Sequence, residues 1–461
     1  MPATLEPATQ PFGHRFARHT TDLLRLAWPV MLSRAGILLM AFVDIAMLGR
    51  YGGGEVGISN LGIAIFIPVL VFSIGLVSGM VPVVSQAYGA GNWQECGYAW
   101  RRAMSWGLLI SLFGTVGVWF GEIWLQLPLF GLTPDMAARG GVVCIALAPG
   151  LLAQVLFAAC AFYMESTRRP MAGLLAMVLA NILNAALNWV MIFGHLGWPE
   201  QGAVGAAWAS TAARFAAMGL MLWIILAQRD AIAAGVRGIR HGLWGPGGWR
   251  DGRMMRRLGL SAGLSNGFET VGFAAMTLMA GALGAAALDA YAISHNLVST
   301  LFMIGLGLAV ATGVRVGQAI GAGQPQEAAF AGWTGLAVAA GIMGTLGTLV
   351  FAFNTGIARV YTDDPALIAR TAGLFVIAAF VFMPDSLQVV MGQALRSMGD
   401  AWVPLIGYIL SFIVAMIPMG WWLTTHGGWD ERGLVLSVAI SCILATVLLS
   451  GRFYALSRRL G

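Results

Sequence analysis

The strongest constraint on this chain is a succession of twelve apolar segments, each about as long as a bilayer is thick. About 20 apolar residues carry an α-helix across the hydrocarbon core. Only 10% of the residues are charged, against about 25% in soluble domains, so the chain cannot cover itself with a water-facing surface. We therefore predict an all-α polytopic membrane protein. The predicted transmembrane helices are 23–48, 56–84, 101–125, 138–162, 171–194, 203–227, 257–281, 288–314, 329–353, 367–392, 403–424 and 434–451.

The arginines predict how the chain is oriented, because all 26 lysine-plus-arginine positions are arginine. If both tails and the even-numbered connections face one side, that side holds nineteen arginines and the other holds five. Cytoplasmic loops of membrane proteins carry the excess of basic residues, so both termini are expected to be cytoplasmic. Since the arginines lie between apolar segments, this topological interpretation is favoured over binding to nucleic acid, and no nucleic-acid partner is expected.

The two halves of the chain carry related sequences. VSQAYGAGNWQE at 84–95 aligns with VGQAIGAGQPQE at 316–327, at a constant offset. A weaker echo relates MESTRRPM at 164–171 to LRSMGDAW at 395–402. Both echoes fall on the arginine-rich side, so the repeats share one orientation. Such repeats are typical of secondary transporters, and they predict two pseudo-symmetric six-helix lobes around a central cleft. An ancestral duplication without remaining functional symmetry is the alternative.

The longest connection between spans divides the chain into these halves. It is rich in Gly, Arg and Trp, which indicates a flexible basic linker lying on anionic lipid. The first residues are polar and lack the apolar core of a secretory signal, so we predict a disordered cytoplasmic tail. The predicted domains are an N-terminal tail at 1–22, an N-lobe at 23–227, the linker at 228–256, a C-lobe at 257–451 and a C-terminal tail at 452–461.

Several classes of chemistry are disfavoured by what the sequence lacks. A nucleotide-binding loop of the GxxxxGK[ST] type requires a lysine, and the chain has none. The four cysteines and six histidines are not spaced as metal or redox pairs, and no clustered catalytic constellation is visible. We therefore expect neither an enzyme nor a cofactor, and we expect transport to be driven by an ion gradient or by the substrate's own gradient.

Asp44 stands in the middle of the first predicted span. Ionisable residues inside a membrane are costly and usually face a cavity or a partner. Counted from Arg25 at about 1.5 Å per residue, Asp44 is about 28 Å deep, while Asn184 and Asn188 reach about 22 and 28 Å. The two asparagines are also one turn apart on one helix face. We predict that all three form a polar site in the N-lobe, in which Asp44 is a cation- or proton-coupling residue and the two asparagines are supporting polar residues.

The alternative is that these residues have a structural role. Asp44 would then form an ion pair, and the asparagines would form hydrogen bonds between helices. Arg34 and Arg214, the arginines inside predicted spans, are the candidate partners in such an ion pair.

Two further acids lie inside spans of the second half. Glu269 and Asp385 are both about 17 to 18 Å from the arginine-rich edge. Two carboxylates at one depth could bind a cation or share one proton, although equal depth does not establish contact. Asn296 could add a neutral oxygen to such a site. His295 is either a proton relay or a hydrogen-bonded packing residue.

Several motifs resemble the multidrug and toxic-compound extrusion (MATE) family over essentially the whole chain. The first half carries WPVML, DIAMLGRYG, PVVSQAYGAGN and LNAALNWVMIFG, and the second half carries NGFETVGF, RVGQAIGAG and DSLQVVMGQALRSMGD. Together they are specific, whereas each alone is weak. The turn ESTRRP, and Tyr291 with Ala292 where NorM relatives often have His–Gln, depart from the family pattern.

The resemblance implies a function and assigns roles to the intramembrane residues. Members export organic, often cationic and amphipathic compounds in exchange for Na⁺ or H⁺ by alternating access. The family's first-helix acid corresponds to Asp44, and its polar fifth-helix partners correspond to Asn184 and Asn188. Acids in helices seven and ten of the bacterial NorM branch correspond to Glu269 and Asp385, which places the chain nearest that branch.

We therefore predict an ion-coupled multidrug antiporter of the bacterial inner membrane. Its expected partners are small organic substrates and membrane lipids, and it is expected to act as a monomer. A lipid-linked oligosaccharide flippase of a related superfamily is the alternative, but it would need a strongly cationic cavity, and the spans hold two arginines against three acids. The choice between Na⁺ and H⁺, the substrate, and which acid dominates coupling remain open.

Overall fold

The protein is almost entirely helical. The computed structural model describes residues 12–127, 132–228, 235–236 and 248–460, and none of these residues lies in a β-strand. The α-helices are α1 (Phe12–Tyr51), α2 (Glu55–Ser78), α3 (Met80–Gly89), α4 (Trp93–Trp119), α5 (Gly121–Leu125), α6 (Pro134–Ser166), α7 (Met171–Phe193), α8 (Gly202–Ala227), α9 (Gly248–Asp251), α10 (Arg253–Ala282), α11 (Ala285–Gly321), α12 (Pro325–Ala352), α13 (Asn354–Tyr361), α14 (Pro365–Ala378), α15 (Phe382–Ser397), α16 (Trp402–Tyr408), α17 (Ile417–Thr425) and α18 (Asp430–Leu460). A 3₁₀ turn at His195–Gly197 follows α7, and the π-helical segment Ile409–Met416 joins α16 to α17.

The predicted spans coincide with these helices. Within the described ranges, nine helical stretches are long and apolar enough to cross a membrane, and α14 with α15, bent by 44°, forms a tenth. The third predicted span covers most of α4 and the short α5, and the seventh lies in α10; α4 and α10, with 27 and 30 residues, are long enough to cross a bilayer. Both helices begin with arginine-containing turns, which makes them less apolar. The predicted class, an all-α polytopic membrane protein with twelve spans, is confirmed.

Local sequence explains where several helices begin. The side chain of Asn92 accepts a hydrogen bond from the backbone N–H of Glu95, which caps α4. Thr133 and Asp364 cap α6 and α14 in the same way, and each is followed by a proline at the first helical position. Between α1 and α2, the chain turns through three glycines with positive φ, at 52–54, a conformation that side chains with a Cβ rarely adopt.

The helices form two compact units whose limits differ from the predicted lobes. The N-unit comprises the described residues within 32–88 and 92–263, and the described part of the C-unit comprises 12–31, 89–91 and 264–460. Residues 12–31 therefore belong with the second half of the sequence, and the beginning of α10 belongs with the first. The divisions after Met31 and after Gly263 fall at equivalent positions of the sequence repeat.

The predicted disordered tail at 1–22 is wrong for the part that the structure describes. Residues 12–22 are the first turns of α1, and they dock on α12 inside the C-unit. Arg15 Nη2 lies 2.8 Å from Glu327 Oε1, and His19 Nε2 lies 2.9 Å from Glu327 Oε2. The ring of Phe330 packs on both Arg15 and His19. Polar residues that suggested a solvated tail are instead held by a buried carboxylate.

The segment before α10 docks in a related way inside the N-unit. Arg102 donates to Glu95 at 2.6 Å and to Asp251 at 3.5 Å, and Trp249 packs edge-on against Trp106. Glu95 and Glu327 occupy equivalent positions of the repeat. Each repeated glutamate thus helps to anchor the segment that leads into the first helix of the other half.

Two further predicted boundaries differ from the structure. The predicted C-terminal tail at 452–461 continues α18 as far as Leu460, and Arg452 donates to Asp400 at 2.8 Å. The predicted linker at 228–256 is helical from Gly248 onward, except at Gly252. Its residues 229–234 and 237–247 lie outside the described ranges.

Candidate functional site

Asp44, Asn184 and Asn188 meet in the N-unit, as their depths predicted. Asn184 Nδ2 and Asn188 Nδ2 donate to Asp44 Oδ1 at 3.0 and 2.6 Å. Ser210 Oγ, from α8, donates to Asp44 Oδ2 at 2.6 Å. Asn188 also donates to Asn184 Oδ1 at 3.3 Å, which links the two amides along one face of α7.

This site is buried, and its donors suit an anion. Asp44 is 9% exposed, and both asparagines are fully buried. An isolated carboxylate in such a place loses its hydration, and hydrogen bonds from neutral donors replace part of it. Three donors on one carboxylate therefore stabilise the ionised form of Asp44.

Ser210 is a member of this site that sequence reasoning missed. It lies in an alanine-rich stretch of α8, where a serine hydroxyl usually bonds to the preceding turn. One signal was available, because Ser210 and Arg214 are one helical turn apart and therefore share a face. That spacing places a hydroxyl beside an intramembrane arginine.

Arg214 lines the same cavity as Asp44. The cavity has a volume of about 100 Å³ and lies inside the N-unit, with Ser59, Gln154 and Ser210 among its polar lining residues. Within the described part of the chain, Asp44 and Arg214 are its two charged lining residues. A cavity of this size accommodates several water molecules or a small ion, but not a drug-sized compound.

The two intramembrane arginines make different contacts. Arg34 Nη2 lies 3.3 Å from Glu165 Oε1, and both side chains are largely buried. Sequence reasoning missed Glu165 because α6 extends beyond the predicted end of the fourth span, at residue 162. Arg34 is therefore paired with Glu165, while Arg214 shares a cavity with Asp44 without a direct ion pair among the described residues.

Glu269 and Asp385 also meet, through a residue that sequence reasoning did not single out. Gln388 Nε2 donates to Glu269 Oε1 at 3.2 Å and to Asp385 Oδ1 at 3.1 Å, inside the C-unit. Because both carboxylate oxygens lie about 3 Å from one nitrogen, they are within roughly 6 Å of each other. Gln388 lies three residues after Asp385 on α15, a spacing that could have identified it.

Few hydrogen-bond donors stabilise the negative charge of Glu269 and Asp385. Cys442 Sγ adds a weak contact to Asp385 at 3.6 Å. Two like charges roughly 6 Å apart repel by about 3 kcal/mol at an effective dielectric constant of 20. Asp385 is 4% exposed and Gln388 is fully buried, so water screens this repulsion poorly. The pair is therefore suited to a bound cation or to one shared proton.

An arginine also lies beside this pair. Arg396 Nη2 donates at 3.0 Å to Ser265, which is one turn before Glu269 on α10. Arg396 Nη1 donates to Gln393 at 3.4 Å, and the guanidinium lies over the ring of Tyr408. Together, Glu269, Asp385 and Arg396 carry one unbalanced negative charge when both acids are ionised.

The two polar residues predicted on the eighth span lie in other surroundings. Asn296 is exposed on α11, and its Oδ1 accepts from Tyr361 Oη at 3.3 Å rather than from a residue of the acid pair. His295 packs against the rings of Phe273 and Tyr291, with Ser299 Oγ 3.4 Å from its Nε2. These contacts favour the packing interpretation of His295. In the described part of the chain, no three His, Cys, Asp or Glu side chains are grouped as metal ligands.

Comparison with known proteins identifies the family. The MatE family model matches this chain twice, over residues 29–190 and 262–422, which together exceed half of the sequence. The protein belongs to the MatE family. The two matched segments begin at nearly equivalent positions of the sequence repeat, which therefore corresponds to two copies of the MatE unit.

Similar bacterial sequences extend over almost the whole MatE chain. The probable multidrug resistance protein NorM of Caulobacter vibrioides is 35% identical over 442 residues, which are 95% of this chain and 92% of that protein. Multidrug resistance protein PmpM of Pseudomonas aeruginosa is 28% identical, over 97% of this chain and 94% of PmpM.

Solved MATE structures share the fold at low sequence identity. The eukaryotic MATE transporter AtDTX14 superimposes with a TM-score of 0.86 at 18% identity, over 97% of this chain and 99% of that one. A MOP superfamily transporter from Pyrococcus furiosus gives 0.85 at 17% identity, over 98% and 99%. This MatE protein is accordingly a multi-pass membrane transporter and not an enzyme, and its bacterial relatives place it in the inner membrane.

Proposed function

We propose that the protein is a cation-coupled multidrug exporter that exchanges Na⁺ or H⁺ for organic compounds by alternating access. The observation that carries this proposal is the pair Glu269, which is half-buried, and Asp385, which is buried; the two carboxylates share one amide donor. An acid pair that is largely withdrawn from water is most stable with one monovalent cation or one proton bound. Its occupancy therefore follows the cation concentration of the compartment to which it opens.

The cation is bound by Glu269 and Asp385 with help from Gln388. In the observed arrangement, the amide points its Nε2 at both acids, and its Oε1 is buried without a hydrogen-bond partner among the described residues. Flipping the amide, so that its oxygen and nitrogen exchange places, would present Oε1 to the acids. Two carboxylate oxygens and one amide oxygen would then surround a hard cation, whereas a shared proton would leave the amide as it is.

Asp44 has the complementary task of attracting the substrate. Its carboxylate accepts three hydrogen bonds and lines a cavity of about 100 Å³. A negative charge on a largely apolar wall suits the cationic end of an amphipathic compound, and the cavity has room for that end rather than for the whole compound. Relatives named for multidrug resistance support this substrate class.

Exchange follows if cation and substrate disfavour each other's binding. A coupling free energy of about 1–3 kcal/mol suffices, which corresponds to a 5- to 150-fold change in affinity. We further propose that the protein acts as a monomer, that it needs no cofactor beyond the coupling ion, and that both termini face the cytoplasm, since the arginine-rich connections lie on that side.

Efflux from proteoliposomes tests the proposal. Loss of a fluorescent cationic dye is measured under an imposed Na⁺ gradient and then under an imposed pH gradient. One of the two gradients should accelerate efflux, and Asp385→Asn should remove that acceleration. Asp363→Asn, which neutralises an exposed acid, is the matched control and should behave as wild type. Efflux that responds to neither gradient would contradict exchange, and transport of a lipid-linked oligosaccharide instead would favour a flippase.

A further inference from the structure

A groove of about 520 Å³ lies inside the C-unit. Its lining comes from residues 344–351 of α12, from residues 379–387 at the break between α14 and α15, and from residues 443–447 of α18. All of these helices belong to stretches that are long and apolar enough to cross a membrane. The groove therefore lies in the membrane-spanning part of the protein, and the proposed exchange does not use it.

The groove forms where α12 passes the bend of 44° between α14 and α15. A Cβ atom at Gly347 would lie 2.5 Å from the carbonyl oxygen of Ala379, so glycine allows α12 to approach the bend closely at this point. Gly344 precedes it by nearly one helical turn. Among the described residues, the nearest atom to a Cβ at Gly344 would be Met383 Sδ, at 3.8 Å. The space beside Gly344 is part of the groove.

The lining of the groove offers a ligand no polar partner of its own. No charged residue is found among its described lining residues. The two hydroxyl groups of that lining donate to backbone carbonyls, Thr348 Oγ1 to Gly344 at 2.9 Å and Thr446 Oγ1 to Pro384 at 2.8 Å. The part of a ligand that enters the groove must therefore be uncharged and apolar.

We infer that this groove binds one acyl chain of a membrane phospholipid. The side chains of Phe351, Phe380 and Val447 in its lining are 47%, 64% and 62% exposed, which suits hydrocarbon rather than water as the surrounding medium. The volume is within the range of ligand pockets, and an unbranched chain can follow a groove between helices. Because bilayer hydrocarbon is as apolar as the groove, the gain on binding comes from close packing against these side chains.

An acyl chain fits the groove better than the charged compounds that a multidrug exporter meets. A cationic amphipathic compound would bring its charge to a lining that holds no counter-charge among its described residues, which is costly inside a membrane. Phospholipid chains surround membrane-spanning helices at this depth and carry no polar group there. The charge and the location of the groove therefore both favour the lipid chain.

The groove and the acid pair use different faces of α15. Met383 and Leu387 are four residues apart and line the groove. Asp385 and Gln388, which are joined by a hydrogen bond, are three residues apart on another face. A chain in the groove therefore packs on the side of α15 that does not bind the coupling cation. The inference is independent of the proposed exchange, because binding an acyl chain needs no ion gradient.

Photolabelling of the full-length protein in detergent tests the inference. The probe is a phosphatidylethanolamine that carries a diazirine in the middle of one acyl chain, and mass spectrometry of peptides locates its adducts. The three lining segments should be labelled about fivefold more strongly than the apolar surface of α7 at Leu179 and Ile182, which are 46% and 63% exposed. Excess unlabelled lipid should remove this difference. Equal labelling of the two surfaces would overturn the inference, because lipid would then cover the groove only as it covers any exposed helix.

Two glycine variants of α12 separate occupancy of the groove from general effects of a new side chain. Gly344→Phe places a ring in the groove and should reduce its labelling about fivefold. Gly341→Phe is the matched control, because Gly341 lies outside the lining and a Cβ atom there would have no described neighbour within 4 Å. Labelling of this control should stay close to that of the wild type. An equal loss in both variants would contradict specific binding.

A third variant keeps the test valid if Gly344→Phe does not fold, which thermal melting in detergent would show. Val447→Trp narrows the groove from α18 and leaves α12 unchanged. It should also reduce labelling of the groove about fivefold. Wild-type labelling in a folded Val447→Trp protein would overturn the inference.

Two further measurements distinguish the acyl chain from other occupants. If a fluorescent cationic dye displaces the lipid probe from the groove, the groove binds the transported compound and the inference is wrong. If the protein is dimeric in detergent and Gly344→Phe makes it monomeric, the groove is an interface between two copies and the inference is also wrong. Labelling that persists in the presence of the dye, in a monomeric protein, supports the inference. None of these outcomes bears on cation exchange, which is tested with imposed gradients.

Discussion

The two acid sites differ in how their negative charge is stabilised. In the N-unit, Asp44 receives three hydrogen bonds and shares its cavity with one arginine. In the C-unit, Glu269 and Asp385 share one amide donor. The three donors and the arginine offset the single charge of Asp44, whereas the shared amide, the weak contact of Cys442 and the nearby Arg396 leave the acid pair with one unbalanced negative charge. Intramembrane acids that look alike in sequence can therefore have very different surroundings.

The largest expected effect on transport comes from substitutions at Glu269 and Asp385, whose negative charge has the fewest hydrogen-bond donors. Asp385→Asn or Glu269→Gln removes one of the two charges, so the remaining acid no longer needs a cation. Gradient-driven dye efflux should fall at least tenfold in either variant, measured in proteoliposomes. Residual efflux down the dye's own gradient should persist, because Asp44 is intact. Full gradient-driven efflux in both variants would place cation coupling elsewhere.

At Asp44, which accepts three hydrogen bonds, we expect loss of a donor to lower the stability of the protein. Asn188→Leu removes the donor at 2.6 Å from Asp44 and leaves a buried charge with fewer partners. We expect a loss of about 1–3 kcal/mol in the free energy of unfolding, followed by thermal melting in detergent. In the Asp44→Asn background, the same substitution should be less harmful, since no charge is left to stabilise. An equal loss in both backgrounds would mean that Asn188 acts by packing alone.

Glu95 and Glu327, which occupy equivalent positions of the sequence repeat, can be compared in the same way. The side chain of Glu327 is 6% exposed and binds both Arg15 and His19, whereas that of Glu95 is 35% exposed and binds Arg102. Glu327→Gln should therefore release the beginning of α1. Hydrogen exchange of residues 12–22 should quicken at least tenfold, because breaking a buried ion pair costs several kcal/mol. Unchanged protection would show that the stacking on Phe330 and the contacts of Arg315 with His19 and Asp22 are sufficient.

The smallest effect is expected at the other repeated glutamate. Glu95→Gln weakens a half-exposed contact to Arg102, and such pairs contribute about 0–1 kcal/mol. Hydrogen exchange of residues 248–252 should change less than threefold. A change as large as that of Glu327→Gln at residues 12–22 would mean that the two anchors are equivalent despite their different burial.

The spans and one site could be predicted from sequence because both depend on position along a helix. The length of an apolar segment locates a span. Because an α-helix rises by a fixed distance per residue, the number of residues from the span's arginine-rich end gives the depth of a side chain. Equal depth is the reason that Asp44, Asn184 and Asn188 were predicted to share a site. Depth also matched Glu269 with Asp385, but only the structure shows that Gln388 joins them.

What sequence could not predict depends on contacts between distant segments. Ser210 and Gln388 are ordinary polar residues in helices until a carboxylate from another helix faces them. The polar residues before the first span suggested a solvated tail, because their partner Glu327 lies in the other half of the sequence. Arg214 was a candidate ion-pair partner of Asp44, but in the described part of the chain it lines the same cavity without a direct ion pair.

The number of coupling cations bound per protein is the measurement that most directly tests the different roles of the two sites. Equilibrium binding of Na⁺ and of protons is measured for wild type, Asp44→Asn and Asp385→Asn under identical conditions. We predict that Asp44→Asn binds the coupling cation with near wild-type affinity, while Asp385→Asn no longer binds it. Loss of binding in Asp44→Asn with full binding in Asp385→Asn would contradict the account.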